Sequence, residues 1–287
     1  MINIFVFLAF FPSLNSFLVL TTAPQYDESK AREFWYYQVM SECNLDRIQN
    51  WNVAPVSSLY PNITEIHIIH NYTQTGANLA YLAYNSQTNL VFLSVRGSHN
   101  STNDWEDADF LKTDYEKCNG CAVHNGFYHA YLDLKDKILE LFVNLNKKYP
   151  SAQTAIFGHS LGGAIATFAF IDLLEMMKID FFYSYGSPRV GNENFAKFCN
   201  GKLGNSKTAR ITHFKDNVPH LPFTFLGFQH INGEIFYSNE ESSQYMVCQK
   251  EGEDPKCSIQ FNFINTDGGD HGKYMNFSMN DFTPACQ

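Results

Sequence analysis

The chain has 287 residues, 45% of them hydrophobic and 16% aromatic, with 29 acidic against 20 basic side chains and a formal net charge of −9. That apolar share fills the core of a folded domain of ordinary size and excludes a disordered chain. The acidic balance, with no basic run beyond Lys147 and Lys148, argues against nucleic acid as a partner.

The chain opens on an apolar stretch, Ile2 to Leu20, interrupted by Pro12, Ser13, Asn15 and Ser16, and polarity rises through Thr21 to Lys30. A signal peptide over residues 1–23, cleaved after Ser16 or Ala23, is the simplest reading, and an uncleaved anchor is its alternative. Residues 24–287 carry no repeat, low-complexity tract or Pro- or Ser-rich linker and read as one domain. Seven cysteines and four acceptor sequons, at Asn62, Asn71, Asn100 and Asn276, fit an exported glycoprotein, either secreted or held in a lumen of the secretory or lysosomal pathway. The pair Cys118 and Cys121 reads as a disulfide, a redox CxxC or half a zinc site, and no second CxxC completes a metal.

A strand pair is predicted at Asn78 to Tyr84 and Leu90 to Arg96, around the turn Asn85 to Asn89. From Phe127 the apolar positions Ala130, Tyr131, Leu134, Ile138, Leu141, Phe142 and Leu145 trace one helical face that Pro150 ends. Then strand and helix alternate: Thr154 to Phe157, Leu161 to Met177, Ile179 to Tyr185, Asn192 to Leu203, and Arg210 to Phe214. A further hairpin is expected within Phe223 to Val247, with His230 inside a strand. The alternation implies an α/β fold with a mostly parallel central sheet and helices on both faces, and places a site at the strands' carboxyl ends.

Gly158, His159, Ser160, Leu161 and Gly162 match GxSxG between an apolar strand and a helix rich in small residues. A serine raised on so tight a turn leaves no room for side chains two places before or after it, and its hydroxyl is the nucleophile this setting predicts. It needs a base and a carboxylate, in the order Ser, Asp, His. His271, in the loop after Gly268, Gly269 and Asp270, is the predicted base, whereas His220 is too close to the acid and His230 lies in an expected strand. Asp216, just past Arg210 to Phe214, is the predicted acid, whereas Asp172 sits within the helix after the serine. The backbone N–H of Leu161 and a donor from Ser98 are the predicted oxyanion hole. This chemistry calls for no cofactor and no metal.

With those residues placed, the chain resembles the class 3 lipase family of the α/β-hydrolase superfamily, which includes fungal triacylglycerol lipases and feruloyl esterases. The likeness rests on Arg96 to Ser98, Cys118 to Phe127, Gly158 to Ala164, Tyr185 to Asn192, His213 to Pro222, Gly227 to Tyr237, and Asp270 with His271. It implies the triad Ser160, Asp216 and His271, the oxyanion donors Ser98 and Leu161, and disulfides Cys118 to Cys121 and Cys43 to Cys286. Cys248 and Cys257, in an acidic loop outside the fungal pattern, are paired with each other, which leaves Cys199 free.

The implied function is cleavage of lipid or other carboxylic esters through an acyl-enzyme, with peripheral contact to lipid surfaces. A catalytically silent lipid-binding protein and an acyltransferase on the same triad are the alternatives. One departure concerns His99 to Phe110, where fungal relatives carry an amphipathic lid. Here Asp104, Glu106, Asp107 and Asp109 surround Trp105, so weak interfacial activation is expected.

Overall fold

The computed structural model describes residues 26–71, 78–98, 110–249 and 251–286. The expected signal peptide, the Asn100 sequon and all but Phe110 of the polar segment lie outside them. In chain order the elements are α1 (Glu28–Met40), α2 (Leu45–Asn50), α3 (Val56–Leu59), β1 (Ile63–Asn71), β2 (Asn78–Asn85), β3 (Leu90–Val95), β4 (Lys112–Asp114) and β5 (Ala122–His124). They continue as α4 (Asn125–Lys148), β6 (Gln153–His159), α5 (Leu161–Leu174), β7 (Phe181–Tyr185), α6 (Glu193–Lys202), β8 (Lys207–His213), β9 (Glu234–Tyr237) and β10 (Tyr245–Val247). A last two-stranded ribbon, β11 (Lys273–Tyr274) and β12 (Phe277–Ser278), leads into α7 (Met279–Phe282).

One eight-stranded sheet in the order β1-β2-β3-β6-β7-β8-β9-β10 organises the molecule. The pairings from β3 through β9 are parallel, and the hairpins at both edges are antiparallel. Such parallel strands are buried on both faces, which is why β3 and β7 read as continuous apolar runs rather than as alternating ones.

Helices cover each face. On one side α4, α5 and α6 bury Leu134, Ile138, Phe142, Phe168 and Phe195 against Leu93, Ile156 and Phe182. The His124 ring caps α4 by accepting from Phe127 N–H, and the helix stops at Lys148, just ahead of Pro150. On the other side α1 lays Phe34 on Phe157 at 5.1 Å between ring centroids and Tyr37 on Phe92 at 4.6 Å. Asp27 starts this helix by accepting from Lys30 N–H at 3.2 Å.

Two expected elements differ. The hairpin within Phe223 to Val247 is confined to β9 and β10, and residues 223–231 form a short 3-10 turn and loop. His230 is therefore not in a strand; its Nε2 donates to Pro219 O at 2.7 Å. The helix after the serine ends at Leu174, short of Met177. No helix among the described residues is long and apolar enough to cross a membrane.

Candidate active site

Ser160 stands between β6 and α5 with φ 56° and ψ −129°, a conformation that costs an L-residue free energy and persists only where its surroundings enforce it. The enforcement is steric and polar. A Cβ on Gly158 would lie 2.2 Å from Gly162 O, and one on Gly162 would lie 2.1 Å from Val95 O. The serine's own N–H is held by Tyr185 O at 2.9 Å. Leu161 opens α5, so its N–H belongs to the first turn, whose amides have no acceptor within the helix.

Across the cleft His271, in a 3-10 turn over Gly268–Gly272, donates from Nδ1 to Asp216, whose two oxygens both lie 2.9 Å away. Asp216 follows β8 and is fixed further by Val218 N–H at 2.9 Å and by Tyr274 OH at 3.2 Å. Burial, then the charge of Asp216, holds the Tyr274 phenol well above its ordinary value, so it stays a donor. With Nδ1 committed to the acid, Nε2 of His271 has no hydrogen-bond partner among the described residues. That leaves it as the nitrogen available to take a proton.

His159 braces this imidazole. Its Nε2 donates to His271 O at 2.8 Å and the two rings lie 4.3 Å apart. Burial, then the neighbouring His271, pulls His159 well below the ordinary histidine value, which keeps it neutral. Gly186, at φ +53°, closes the group: a Cβ there would sit 2.7 Å from Asp216 Oδ2 and 3.0 Å from His271 Cε1. The loop carrying Ser98 approaches from β3, with a Cβ on Gly97 falling 3.3 Å from Ser160 Cβ.

The structure thus brings Ser160, Leu161, Ser98, Asp216 and His271 to one end of the sheet. Asp172 lies elsewhere, ringed by Lys117 at 2.7 Å, Lys135 at 2.8 Å and Tyr131 OH at 2.6 Å. Sequence reasoning missed Tyr274, Gly186 and the bracing role of His159. Only the glycine in Tyr185 to Asn192 carried a signal, since a residue following a strand at positive φ favours glycine.

Cys43 is bonded to Cys286, Cys118 to Cys121, and Cys248 to Cys257, while Cys199 is a buried free thiol whose ionisation burial pushes up. Glu234 lies within ligand reach of Cys248 and Cys257, but their sulfurs are spent in the disulfide, so the set does not fit a metal. The sequon residues Asn62 and Asn276 are exposed, and Asn71 ends β1.

A mostly parallel sheet with a strained serine at a strand-to-helix elbow and an Asp–His pair at the strands' carboxyl ends defines an α/β-hydrolase. The family model described as Lipase (class 3) matches residues 92–226, so over that span the chain is similar to that family. It is 32% identical over 167 residues to secreted mono- and diacylglycerol lipase A of Penicillium camembertii, covering 57% of this chain and 53% of that one. To the lipase of Rhizomucor miehei it is 30% identical over 184 residues, covering 62% and 50%.

The chain spans about half the length of these relatives. Among solved structures, the lipase of Rhizopus microsporus var. chinensis superposes with a TM-score of 0.77 at 22% identity, covering 89% of this chain and 90% of that one. A triacylglycerol lipase whose catalytic centre is a serine protease triad gives 0.75 at 26% identity, covering 91% and 98%.

Proposed function

We propose that the protein is a secreted serine ester hydrolase of the lipase type, acting on lipid or other carboxylic esters through an acyl-enzyme on Ser160. The observation that carries this reading is the His271–Asp216 pair, with Nδ1 at 2.9 Å from both carboxylate oxygens, next to a serine held at positive φ. In the reaction, Ser160 Oγ attacks the ester carbonyl carbon and its proton passes to His271 Nε2. The N–H groups of Leu161 and Ser98 receive the oxyanion. The tetrahedral adduct collapses, the leaving alkoxide takes the proton from Nε2, and alcohol departs. Water, deprotonated by the same nitrogen, then attacks the acyl-enzyme and releases the acid and Ser160. Asp216 accepts from Nδ1 and so holds the imidazole's tautomer.

Beside the Asp216 turn lies a cleft of about 710 Å³ walled by Phe223, Phe225, Phe228, Phe261 and Phe263. Its aromatic lining suits the apolar part of an ester. Export agrees with the three disulfides and with the names of the secreted fungal relatives. Peripheral contact with a lipid surface is supported by exposed Phe225, Leu226, Ile264 and Leu111 on neighbouring loops.

The test is hydrolysis of p-nitrophenyl esters, mono- and diacylglycerols, triglycerides, phospholipids and feruloyl esters by the full chain and by Ser160→Ala. Turnover of a member of the panel, lost by several orders of magnitude in the variant, is expected. Transfer of the acyl group to an added alcohol in preference to water favours the acyltransferase alternative. Lipid binding with no turnover and no fluorophosphonate labelling of Ser160 overturns the catalytic reading.

A further inference from the structure

The carboxyl end of α1 grips the end of β3. Gln38 Nε2 donates to Val95 O at 2.9 Å, and Ser94 Oγ donates to Gln38 Oε1 at 2.9 Å. One turn on, Glu42 Oε1 accepts the N–H of Gly97 at 3.4 Å. Glu42 is itself held between Ser41, whose hydroxyl bonds Gln38 O at 2.6 Å, and Cys43, which the disulfide ties to Cys286. Gly97 immediately precedes Ser98 and abuts the serine, with 3.3 Å from its ideal Cβ to Ser160 Cβ. A carboxylate is thus anchored to the backbone that presents the oxyanion donor.

We propose that Glu42 is a positioning residue for the reaction: by holding Gly97 N–H it sets the place of Ser98, and by its charge it steadies the imidazolium that His271 becomes. The inference rests on the serine-hydrolase reading above. Two charged or titratable groups act on this carboxyl, Arg96 from the end of β3 and His271 from the 3-10 turn, besides the N–H of Gly97 and the hydroxyl of Ser41. Burial lifts its pKa to about 7, and Arg96, the Gly97 N–H, Ser41 and His271 act against that lift.

Arg96 is a permanent cation. His271 is neutral when it accepts the serine proton and cationic in the transition state. The attraction between Glu42 and His271 therefore grows as the barrier is climbed, and interactions of that kind raise kcat rather than lower KM. A carboxyl near pH 7 also adds its own ionisation to the acid side of the rate profile.

The experiment measures kcat and KM on soluble p-nitrophenyl butyrate from pH 5 to 9 for the full chain, Glu42→Gln and Glu42→Ala, with thermal unfolding of each. Glu42→Gln keeps an acceptor for Gly97 and removes the charge. Its kcat is expected to fall about tenfold with KM nearly unmoved, and the acid limb to lose the ionisation that Glu42 contributes and so become shallower. Glu42→Ala, which also frees the Ser98 loop, is expected to lose on the order of 100-fold in kcat. Unchanged kcat and limb slope in Glu42→Gln, a faster variant, or a pure KM effect overturns the assignment. If Glu42→Ala does not fold, Glu42→Gln decides alone. If Ser160→Ala retains activity, the hydrolase reading itself fails; if only Glu42→Gln behaves as the unaltered protein, just this inference does.

Discussion

His271 and Asp216, 55 residues apart in the chain, meet with Nδ1 at 2.9 Å from both carboxylate oxygens. The contact selects the tautomer whose Nε2 is bare. Asp216→Asn presents an amide that can donate to Nδ1 and so favours the wrong tautomer. A kcat loss on the order of 10⁴-fold is expected with little change in fold. Steady-state hydrolysis of a soluble ester, with circular dichroism to check folding, measures it. Retained activity would remove Asp216 from the catalytic group.

The elbow was legible in the sequence because its geometry tolerates so few residues: Gly158 and Gly162 face backbone oxygens at 2.2 and 2.1 Å. Asp216 and His271 were legible through chain order and their places after a strand and in a late loop. Helix α1 was not, because its buried residues, Ala31, Glu33, Phe34, Trp35, Tyr37, Gln38, Val39 and Met40, surround the axis instead of forming one stripe. The aromatic run Phe223 to Phe228 resembles a strand, since apolar content cannot distinguish rings buried in a sheet from rings lining a cleft. Tyr274 on Asp216 and Glu42 on Gly97 are contacts between distant segments that no local pattern encodes.

The glycines of the elbow give a paired stability test. In Gly162→Ala the new Cβ meets Val95 O and Arg96 O, backbone atoms of β3 and its exit that cannot rotate away. A loss of about 3 kcal/mol is expected, together with loss of fluorophosphonate labelling. Gly201→Ala meets nothing within 4 Å and lies in α6. That change should stabilise by about 0.4–1 kcal/mol. Urea denaturation of both variants checks the contrast, and equal midpoints would refute it.

Stability should fall on acidification below about pH 6.5, the ordinary histidine value. Burial holds His159 and His230 well below that value and also lowers His220. Between the folded and unfolded values the unfolded chain binds more protons, so unfolding free energy rises with pH and is lost as pH drops through that window. Glu42 acts oppositely between its unfolded value of 4.5 and about 7, where the folded state binds the extra proton. Asp270, which burial also raises, acts in the same sense as Glu42, and three imidazoles outweigh the two carboxyls. Thermal unfolding at pH 7.5 and 5.5 should show a midpoint several degrees lower at the acid pH. His230→Gln, which keeps a donor for Pro219 O, should flatten the slope; an unchanged midpoint across the range contradicts the account.

Phe225 is 80% exposed and Ile264 88%, on the loops that follow Asp216 and precede His271. Phe223 joins these loops, stacking on Phe225 at 5.1 Å and meeting Phe263 edge-on at 5.1 Å. Leu111 adds a third exposed tip, beside Lys112, which donates to Leu226 O and lies 4.7 Å from the Phe228 ring centroid. Side chains protruding this far suit a fluid apolar phase, which closes around each tip without needing a matched pocket.

Burying a Leu or Ile side chain in such a phase contributes about 1.5–3 kcal/mol each. Leu111→Ser with Ile264→Ser should therefore weaken adsorption to neutral lipid vesicles or emulsion by roughly 100-fold or more. Turnover of p-nitrophenyl acetate in solution should stay within about twofold, because neither side chain contacts the reacting group there. Since the tips are already exposed, no conformational switch is required, and the rate on tributyrin should rise smoothly through its solubility limit. Flotation of the protein with phosphatidylcholine vesicles and the tributyrin curve measure the two halves. A sharp jump at the solubility limit would show a switch this surface does not need, and undiminished adsorption of the double variant would place the lipid contact elsewhere.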